Sequence, residues 1–437
     1  MASQVNPPRG MRDFLPADKA RREHALSVIR GVYRAHGFDE IETPVVEDYD
    51  RLHAGLGGDN EKLSFSILKR GIRPEQFAAA AEQGDAEALA DLGLRFDLTV
   101  PLSRFYATHR AELPPVFRSI QIAPVWRAER PQRGRYRQFV QADIDIIGEP
   151  GLLAEVELIS ASSQALAELG LEGCVIRVND RRILFGLLEH CGFAADDHDR
   201  ALITIDKLDK IGAPGVVAEL SEIDAAAAER VGEVLLGVEP RLAGDGIALR
   251  RADIAAVLPD AEDGSDLELG IGNLATLGDA IAEALPAGVA VRFDPTLVRG
   301  MGYYTGTIFE VAHPGSGSSV GGGGRYDGMI GRFLGQDVPA VGFSIGFERI
   351  VDLIELPDAD GADAVVLVHD AEVPLETLGA LKRELVAGGH RVRLEKRQKN
   401  MKALLARVAA EGWSRFAAVR ADTDPTAASL EFRALAD

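Results

Sequence analysis

Residues 117–148 read FRSIQIAPVWRAERPQRGRYRQFVQADIDIIG. The stretch opens and closes on runs that alternate apolar with polar residues, SIQIAPVW and QFVQADIDII, which is the period-2 pattern of half-buried strands. Between them, ERPQRGRYR supplies Pro131 and Gly134 as turn residues and brings the arginines from Arg127 to Arg137 to five. The expectation is two antiparallel strands joined by a basic loop. Guanidiniums gathered at one tip repel one another unless an anion lies among them, and a planar, permanently charged guanidinium grips phosphate bidentately. A polyanion site is therefore favoured over a solvated turn. On the second strand Gln141, Asp143 and Asp145 alternate with apolar residues and so face one way. Acids on a covered face are costly unless a cation or donor meets them, the alternative being that this face is simply wet.

The rest of the chain bounds what such a site can belong to. At 437 residues and 46% apolar content it can bury large cores and should hold two or three domains. No run of about 18 apolar residues appears, and the start MASQVNPPRGMRDFLP has neither an apolar segment nor a small-residue cleavage site, so a cytoplasmic protein with no membrane contact is expected. Cys174 and Cys191 are the only thiols, too few for a disulfide framework or a cysteine zinc site, and both read as buried free cysteines. No metal site of protein ligands is expected. A formal charge of −20 excludes a protein that coats nucleic acid with its whole surface; such contact would need a local basic patch.

Upstream, Ala25, Ile29, Val32 and Tyr33 recur at helical spacing and end near Gly37, and DEIETPVVE after them is strand-like. The alanine- and acid-rich segment from Gly71 to Gly93 reads as a helical excursion with no chemistry in it. In LRFDLTVPLSRFYA, Asp97 and Thr99 project to one side if the stretch is extended and could hold an ammonium; a strand-to-helix cap is the commoner reading of Asp-Leu-Thr. From Gly151 to Pro295 the composition turns to alanine, leucine and acid, with VIRVNDRRILFGLLEHCGF read as strand then helix and ITIDKLDKIG as the start of another helix. Dense signal returns in LVRGMGYYTGTIFEVAHPGSGSSVGGGGRYDGMIGRF, where Gly321 to Gly324 permit close backbone approach to a ligand, or a flexible hairpin. VPAVGFSIGFERIVDL reads as a strand and then a helix opened by Gly346, a helix start that favours anions. After the polar link Pro357–Gly361 the chain alternates strand and helix, which indicates a small α/β domain with a largely parallel sheet. Between Arg391 and Arg407 seven Lys or Arg face one acid, Glu395, the footprint of a phosphate backbone or else a solvated helix face.

The hairpin with Arg127-Ala-Glu129-Arg-Pro and Gly134-Arg-Tyr-Arg-Gln-Phe139 resembles the second signature motif of class II aminoacyl-tRNA synthetases, in the form typical of the histidyl-tRNA synthetase family. Arg299-Gly-Met-Gly-Tyr303-Tyr304 and Gly323-Gly-Arg-Tyr326-Asp-Gly resemble that family's two histidine signatures, and the helix–strand around Pro44 and the segment at Arg349 its first and third motifs. The resemblance implies an α+β fold: an antiparallel sheet flanked by helices over residues 1–150 and 290–356, a helical insertion over 151–289, and a shortened anticodon-binding-like α/β domain over 357–437. It implies ATP-dependent activation of L-histidine to histidyl-adenylate and transfer to tRNA(His), with Mg²⁺, in a homodimer. Arg127 and Arg299 would then hold the α-phosphate, and Arg135 and Arg349 the β- and γ-phosphates, with Glu129 beside ATP and Phe139 stacked on adenine. Asp97, Thr99 and Gln141 would meet the amino group, and Asp145, Tyr303, Tyr304 and Tyr326 would line the rest of the histidine pocket, Asp145 and Tyr304 at the imidazole. Arg391, Arg393, Lys396, Arg397, Lys399 and Lys402 would touch tRNA. Family members usually carry aspartate where this chain has Gly302. A catalytically retired histidine sensor, such as the regulatory subunit of ATP phosphoribosyltransferase, is the alternative; retained phosphate-gripping arginines and the basic C-terminal stretch favour the enzyme.

Overall fold

A computed structural model describes residues 5–53, 63–131, 134–242, 246–299, 303–355 and 364–435. The expectations placed on Arg133, on Gly302 and on the link Pro357–Gly361 fall outside these residues. The chain divides into two compact units, Met1–Phe14 with Ala20–Ile354, and Leu15–Lys19 with Glu355–Asp437.

The first unit is built on an eight-stranded sheet in the order β1-β5-β6-β11-β10-β9-β7-β8. Its strands are β1 (Asp39–Glu40), β5 (Phe117–Trp126), β6 (Gln138–Ile147), β7 (Cys174–Asp180), β8 (Val289–Phe293), β9 (Thr307–Ala312), β10 (Gly321–Arg325) and β11 (Ala340–Ile345). All neighbours run antiparallel except β1 with β5 and β7 with β8, so the expected antiparallel sheet flanked by helices is what the chain forms. β5 and β6 pair from Phe117↔Ile147 to Trp126↔Gln138, the hairpin read from the sequence. Three shorter strands, β2 (Val46–Asp48), β3 (Phe65–Leu68) and β4 (Ala90–Leu94), make a separate small sheet.

Alternation along β6 sets the two faces of the large sheet. Ala142, Ile144 and Ile146 enter a core shared with Ala25, Ile29, Val32 and Tyr33 of the helix Pro16–Ala35, Leu158 and Ile159 of the helix Leu153–Glu168, and Leu274 of the helix Asp266–Ile281. Each buried Ile or Leu there contributes about 1.5–3 kcal/mol. The opposite face carries Gln141, Asp143 and Asp145; the helices Thr99–His109 and Asp327–Leu334 pack over its Phe117, Ile147 and Ala340 end, and the site occupies the rest.

Several local expectations are revised. DEIETPVVE is two short strands, because Pro44 brings no N–H and the buried Arg95 guanidinium takes the Thr43 carbonyl at 2.8 Å and the Pro44 carbonyl at 3.3 Å. The segment 71–93 contains the expected helix, Pro74–Gln83, but ends in β4, where Leu92 pairs with Ile67. The sequence ITIDKLDKIG closes one helix, His198–Ile205, and opens a second segment, Leu208–Leu220, whose helix is broken by the non-helical backbone of Gly212. The stretch 151–289, expected as one helical insertion, contributes β7 and two of the helices named above to the main core. A second apolar cluster gathers the helices Arg181–Cys191, His198–Ile205, Leu208–Leu220 and Ala225–Leu242 around Leu297, Val298 and Ile308. Both cysteines are free and buried.

The second unit matches its reading. Strands β12 (Ala364–His369), β13 (Arg391–Lys396) and β14 (Arg415–Val419) run parallel, with the helices Leu375–Ala387 and Met401–Ala410 between them and a short antiparallel β15 (Arg433–Ala434) at the edge. Among the described residues no helix is long and apolar enough to cross a membrane.

Candidate active site

A cleft of about 380 Å³ opens on this second face of the large sheet, and every residue named above for histidine and for ATP lines it. The sequence separates these residues by up to 252 positions (Asp97 to Arg349); the sheet order brings them together.

One end of the cleft is acidic. Asp143 and Asp145 are about 5% and 4% exposed, and no Lys or Arg bonds either of them among the described contacts. Burial pushes Asp145 up to about 7, held back by the Tyr326 hydroxyl that donates to it at 2.6 Å. Burial, reinforced by Asp145, raises Asp143 well above its ordinary value, held back by a hydrogen bond from the Ser344 side chain, and Gln141 Nε2 also donates to it at 3.1 Å. Asp97 is raised too, again by burial. The extended reading of Asp97 and Thr99 does not hold: Thr99 is the first residue of the helix Thr99–His109, and Asp97 Oδ1 accepts from Val100 N at 3.2 Å. Both still face the cleft. The charge of Arg127 offsets part of this at Asp97 and Asp143, and an incoming cation would offset more.

The other end is basic. Arg127 is fixed by its Nε–H on the Phe96 carbonyl at 3.0 Å and lies 5.0 Å from the Phe139 ring centroid. Arg349 donates to the Ser319 carbonyl, and Arg299 donates to the Ser319 hydroxyl at 3.3 Å and to Glu310. Burial lowers the Arg349 pKa, and the charges of Arg135, Arg299 and Arg127 lower it further. Cations that destabilise one another this way are relieved by a polyanion. Arg135 is the more exposed member, 3.6 Å from Glu129.

Glycine makes the floor. Gly321 to Gly324 are not a hairpin but β10, a central strand, and a Cβ at Gly322 would lie 2.7 Å from the Phe309 carbonyl and 3.0 Å from Arg299 Nη1. The helix opened by Gly346 is only Phe347–Ile350, so its dipole adds little and Arg349 acts by its side chain. Sequence reading gave no role to Ser319, which two arginines share, and none to Glu348. Glu348 accepts a two-point bond from Arg22 at 2.6 and 2.7 Å, a bond from Arg12 and one from Val140 N at 3.1 Å, tying the N-terminal segment to β6. No local signal marks a serine in GSGSS, and the partners of Glu348 lie more than 200 residues away in sequence.

Residues 10–350 match the family model described as "Histidyl-tRNA synthetase". The chain belongs to the histidyl-tRNA synthetase family. It is 66% identical over 431 residues to the histidine–tRNA ligase of Leifsonia xyli subsp. xyli, covering 99% of each chain. It is 41% identical over 425 residues to the probable histidine–tRNA ligase of Tropheryma whipplei, covering 94% of this chain and 95% of the relative. The crystal structure of histidyl-tRNA synthetase from Nostoc sp. PCC 7120 superposes with a TM-score of 0.75 at 25% identity, over 99% of this chain and 95% of that one. A structure described as an ATP phosphoribosyltransferase regulatory subunit/histidyl-tRNA synthetase from Bacillus halodurans C gives 0.72 at 21% identity, over 92% and 96% of the two chains, a likeness of fold.

Beyond the part matched by the histidyl-tRNA synthetase model, the second unit carries the basic stretch. Its arginines are partly neutralised: Arg393 bonds Glu411, Arg397 lies 3.3 Å from Asp370, and Arg391 and Arg393 sit over the Trp413 ring at 4.3 and 4.7 Å. Lys396, Lys399 and Lys402 are exposed and have no ion-pair partner among the described residues. Any strip free to meet phosphate is thus narrower than the sequence implies, centred on these three lysines.

Proposed function

We infer that the chain is a histidine–tRNA ligase: it activates L-histidine with ATP and passes the histidyl group to tRNA(His). The observation that carries this reading is the polarity of a single cleft, with buried, cation-seeking carboxyls at one end and mutually repelling arginines at the other. An amino acid that meets a triphosphate in that cleft presents its ammonium to the acids and sets its carboxylate against the α-phosphate between them. A carboxylate oxygen then bonds to phosphorus, the bond to the bridging oxygen breaks, and pyrophosphate leaves with the electron pair. In the second step a hydroxyl of the terminal ribose attacks the acyl carbon and AMP departs.

The residue roles are proposals resting on this geometry. Arg127 and Arg299 bind the α-phosphate, Arg135 and Arg349 the outer phosphates, and Phe139 offers its ring to adenine with Glu129 beside it. Asp97, Thr99 and Gln141 take the ammonium, and Asp145, Tyr303, Tyr304 and Tyr326 close around the imidazole. Mg²⁺ fits as a partner of the ATP phosphates rather than of a protein cage, since the described residues contain no cluster of three or more acids, histidines or cysteines placed to hold a metal, and Glu310 and Glu348 near the arginines are already committed to them. When bound it neutralises phosphate charge. We place the enzyme in the cytoplasm and, on the family's first motif, as a homodimer; light scattering should give twice the 46.8 kDa chain mass at micromolar concentration, and an active monomer would refute that. The sensor alternative is the less supported reading, because the arginines a sensor would not need all line the cleft.

Histidine-dependent exchange of pyrophosphate into ATP, abolished by EDTA, is the test of the reading. A specific pH dependence goes with it. Because the Asp145 carboxyl titrates near 7, kcat/KM for histidine should rise with pH through that value as the carboxylate forms. Asp145→Asn should remove this limb and raise the histidine KM about 10–100-fold while ATP KM stays put, the cost of losing a charge-assisted hydrogen bond. The same shift makes a stability statement. A carboxyl whose folded pKa lies above its unfolded value favours the folded state below the unfolded value, and that contribution disappears as pH rises to about 7. Thermal melts of the ligand-free enzyme should fall across that window, and less steeply for Asp145→Asn. Equal losses of histidine and ATP affinity would contradict the assignment.

A further inference from the structure

Arg299 lies on a segment outside any helix or strand, so its backbone does not fix where the guanidinium sits. Side chains do. Its Nη1 donates to Glu310 Oε2 and to Ser319 Oγ, and the other oxygen of Glu310 accepts from Arg177 Nη2. Glu310 on β9 has Arg177 on β7 as its cross-strand partner on one side and Gly322 on β10 on the other. The bare Gly322 leaves the lane through which Arg299 passes. Arg177 Nη1 in turn donates to Asp294 Oδ2 at 3.0 Å, and Asp294, about 1% exposed, is held by Thr296 N at 2.9 Å and Thr296 Oγ1 at 2.6 Å. The result is a line of alternating charge, Asp294–Arg177–Glu310–Arg299, ending in the cleft.

Sharing matters here. A carboxylate bound to Arg299 alone would turn both oxygens onto it and compete with an incoming phosphate; one divided between two guanidiniums commits a single oxygen to each. Both hydrogen bonds of Arg299 to the described residues use Nη1, which leaves Nε–H and Nη2 as donors. We propose that Glu310 and Arg177 are positioning residues for adenylate formation: Glu310 anchors Arg299 by one nitrogen, and Arg177, backed by Asp294, keeps Glu310 from closing over it. This rests on the reading of Arg299 as an α-phosphate ligand.

The test is rapid-quench measurement of the first turnover on the full-length enzyme, with burst amplitude counting competent sites and burst rate reporting adenylate formation. Glu310→Gln keeps the shape but removes the charge and replaces one of the two accepting oxygens with an NH₂ that only donates, and should slow the burst about 10–100-fold at undiminished amplitude, with the histidine KM within about threefold, the scale of a displaced catalytic group. Arg177→Met should slow it comparably, and Arg177→Lys should restore much of the rate. In the Glu310→Gln background Arg177→Met should cost nothing more, since the charge it restrains is gone. Additive losses, or a reduced amplitude with an unchanged rate, would show the chain to be merely structural and overturn the proposal. So would a normal burst in Glu310→Gln. If Glu310→Gln fails to fold, the Arg177→Met and Arg177→Lys pair decides by rate at full amplitude. Arg299→Ala separates the two levels: if it reacts at the parental rate the α-phosphate reading itself fails, whereas a slow Arg299→Ala beside a normal Glu310→Gln sinks only the positioning chain.

Discussion

Arg299→Ala should slow histidyl-adenylate formation about 10²–10³-fold, the usual cost of removing one preorganised donor aimed at developing charge. The dissociation constant for histidine should move by no more than about threefold, because Arg299 stands at the basic end of the cleft, bonded to Glu310 and Ser319, while the carboxyls that meet an ammonium lie at the other. The split between rate and binding is the informative part, since a group that acts on the transition state changes the first and spares the second. Stopped-flow or quench kinetics beside equilibrium binding measures both. Equal losses would mean that the substitution has disturbed the whole cleft, and no loss of rate would remove Arg299 from the α-phosphate.

A second large effect is expected from ending the chain at residue 357. The cleft lies wholly in the first unit, which has its own apolar cores, so pyrophosphate exchange should survive. Aminoacylation of tRNA should fall by at least about 10²-fold. The second unit carries Lys396, Lys399 and Lys402 as exposed cations, and losing such phosphate contacts together with even two stacked bases, at about 1–3 kcal/mol each, is enough for that. Circular dichroism must first show that residues 1–357 fold. A truncated chain that charges tRNA as well as the parent would mean that the second unit does not grip the anticodon, and the positive strip would then be an ordinary solvated face.

How much of this could be read in the sequence depended on whether the deciding contacts were local. The β5–β6 hairpin was legible because its period-2 alternation and its turn residues lie in one stretch, and with it came the face that Gln141, Asp143 and Asp145 share. The helix Pro16–Ala35 was legible for the same reason at a period of 3.6. Gly321–Gly324 was legible as a place of close approach but not as a central strand. Glycine is a poor strand former, and what holds it there is pairing with β9 and β11 and the crowding of Arg299 and Tyr304 against it. Asp97-Leu98-Thr99 carried two local signals at once, and the helix won while the side chains still reached the cleft. Glu310 was invisible. In TIFEVA it looks like one more outward-facing polar residue, and its meaning comes from Arg177, 133 positions away. The charge inversion of 391–407 was plain, but the sequence could not show that Glu395, Glu411 and Asp370 quench several of its arginines.

The most direct measurement is exchange of labelled pyrophosphate into ATP by the purified full-length chain, with each amino acid supplied in turn. The account predicts exchange with L-histidine and with no other, lost when Mg²⁺ is chelated. Exchange that is absent with histidine under conditions where the chain is folded and binds it, or that is as fast with another amino acid, would contradict the claim that this cleft activates histidine.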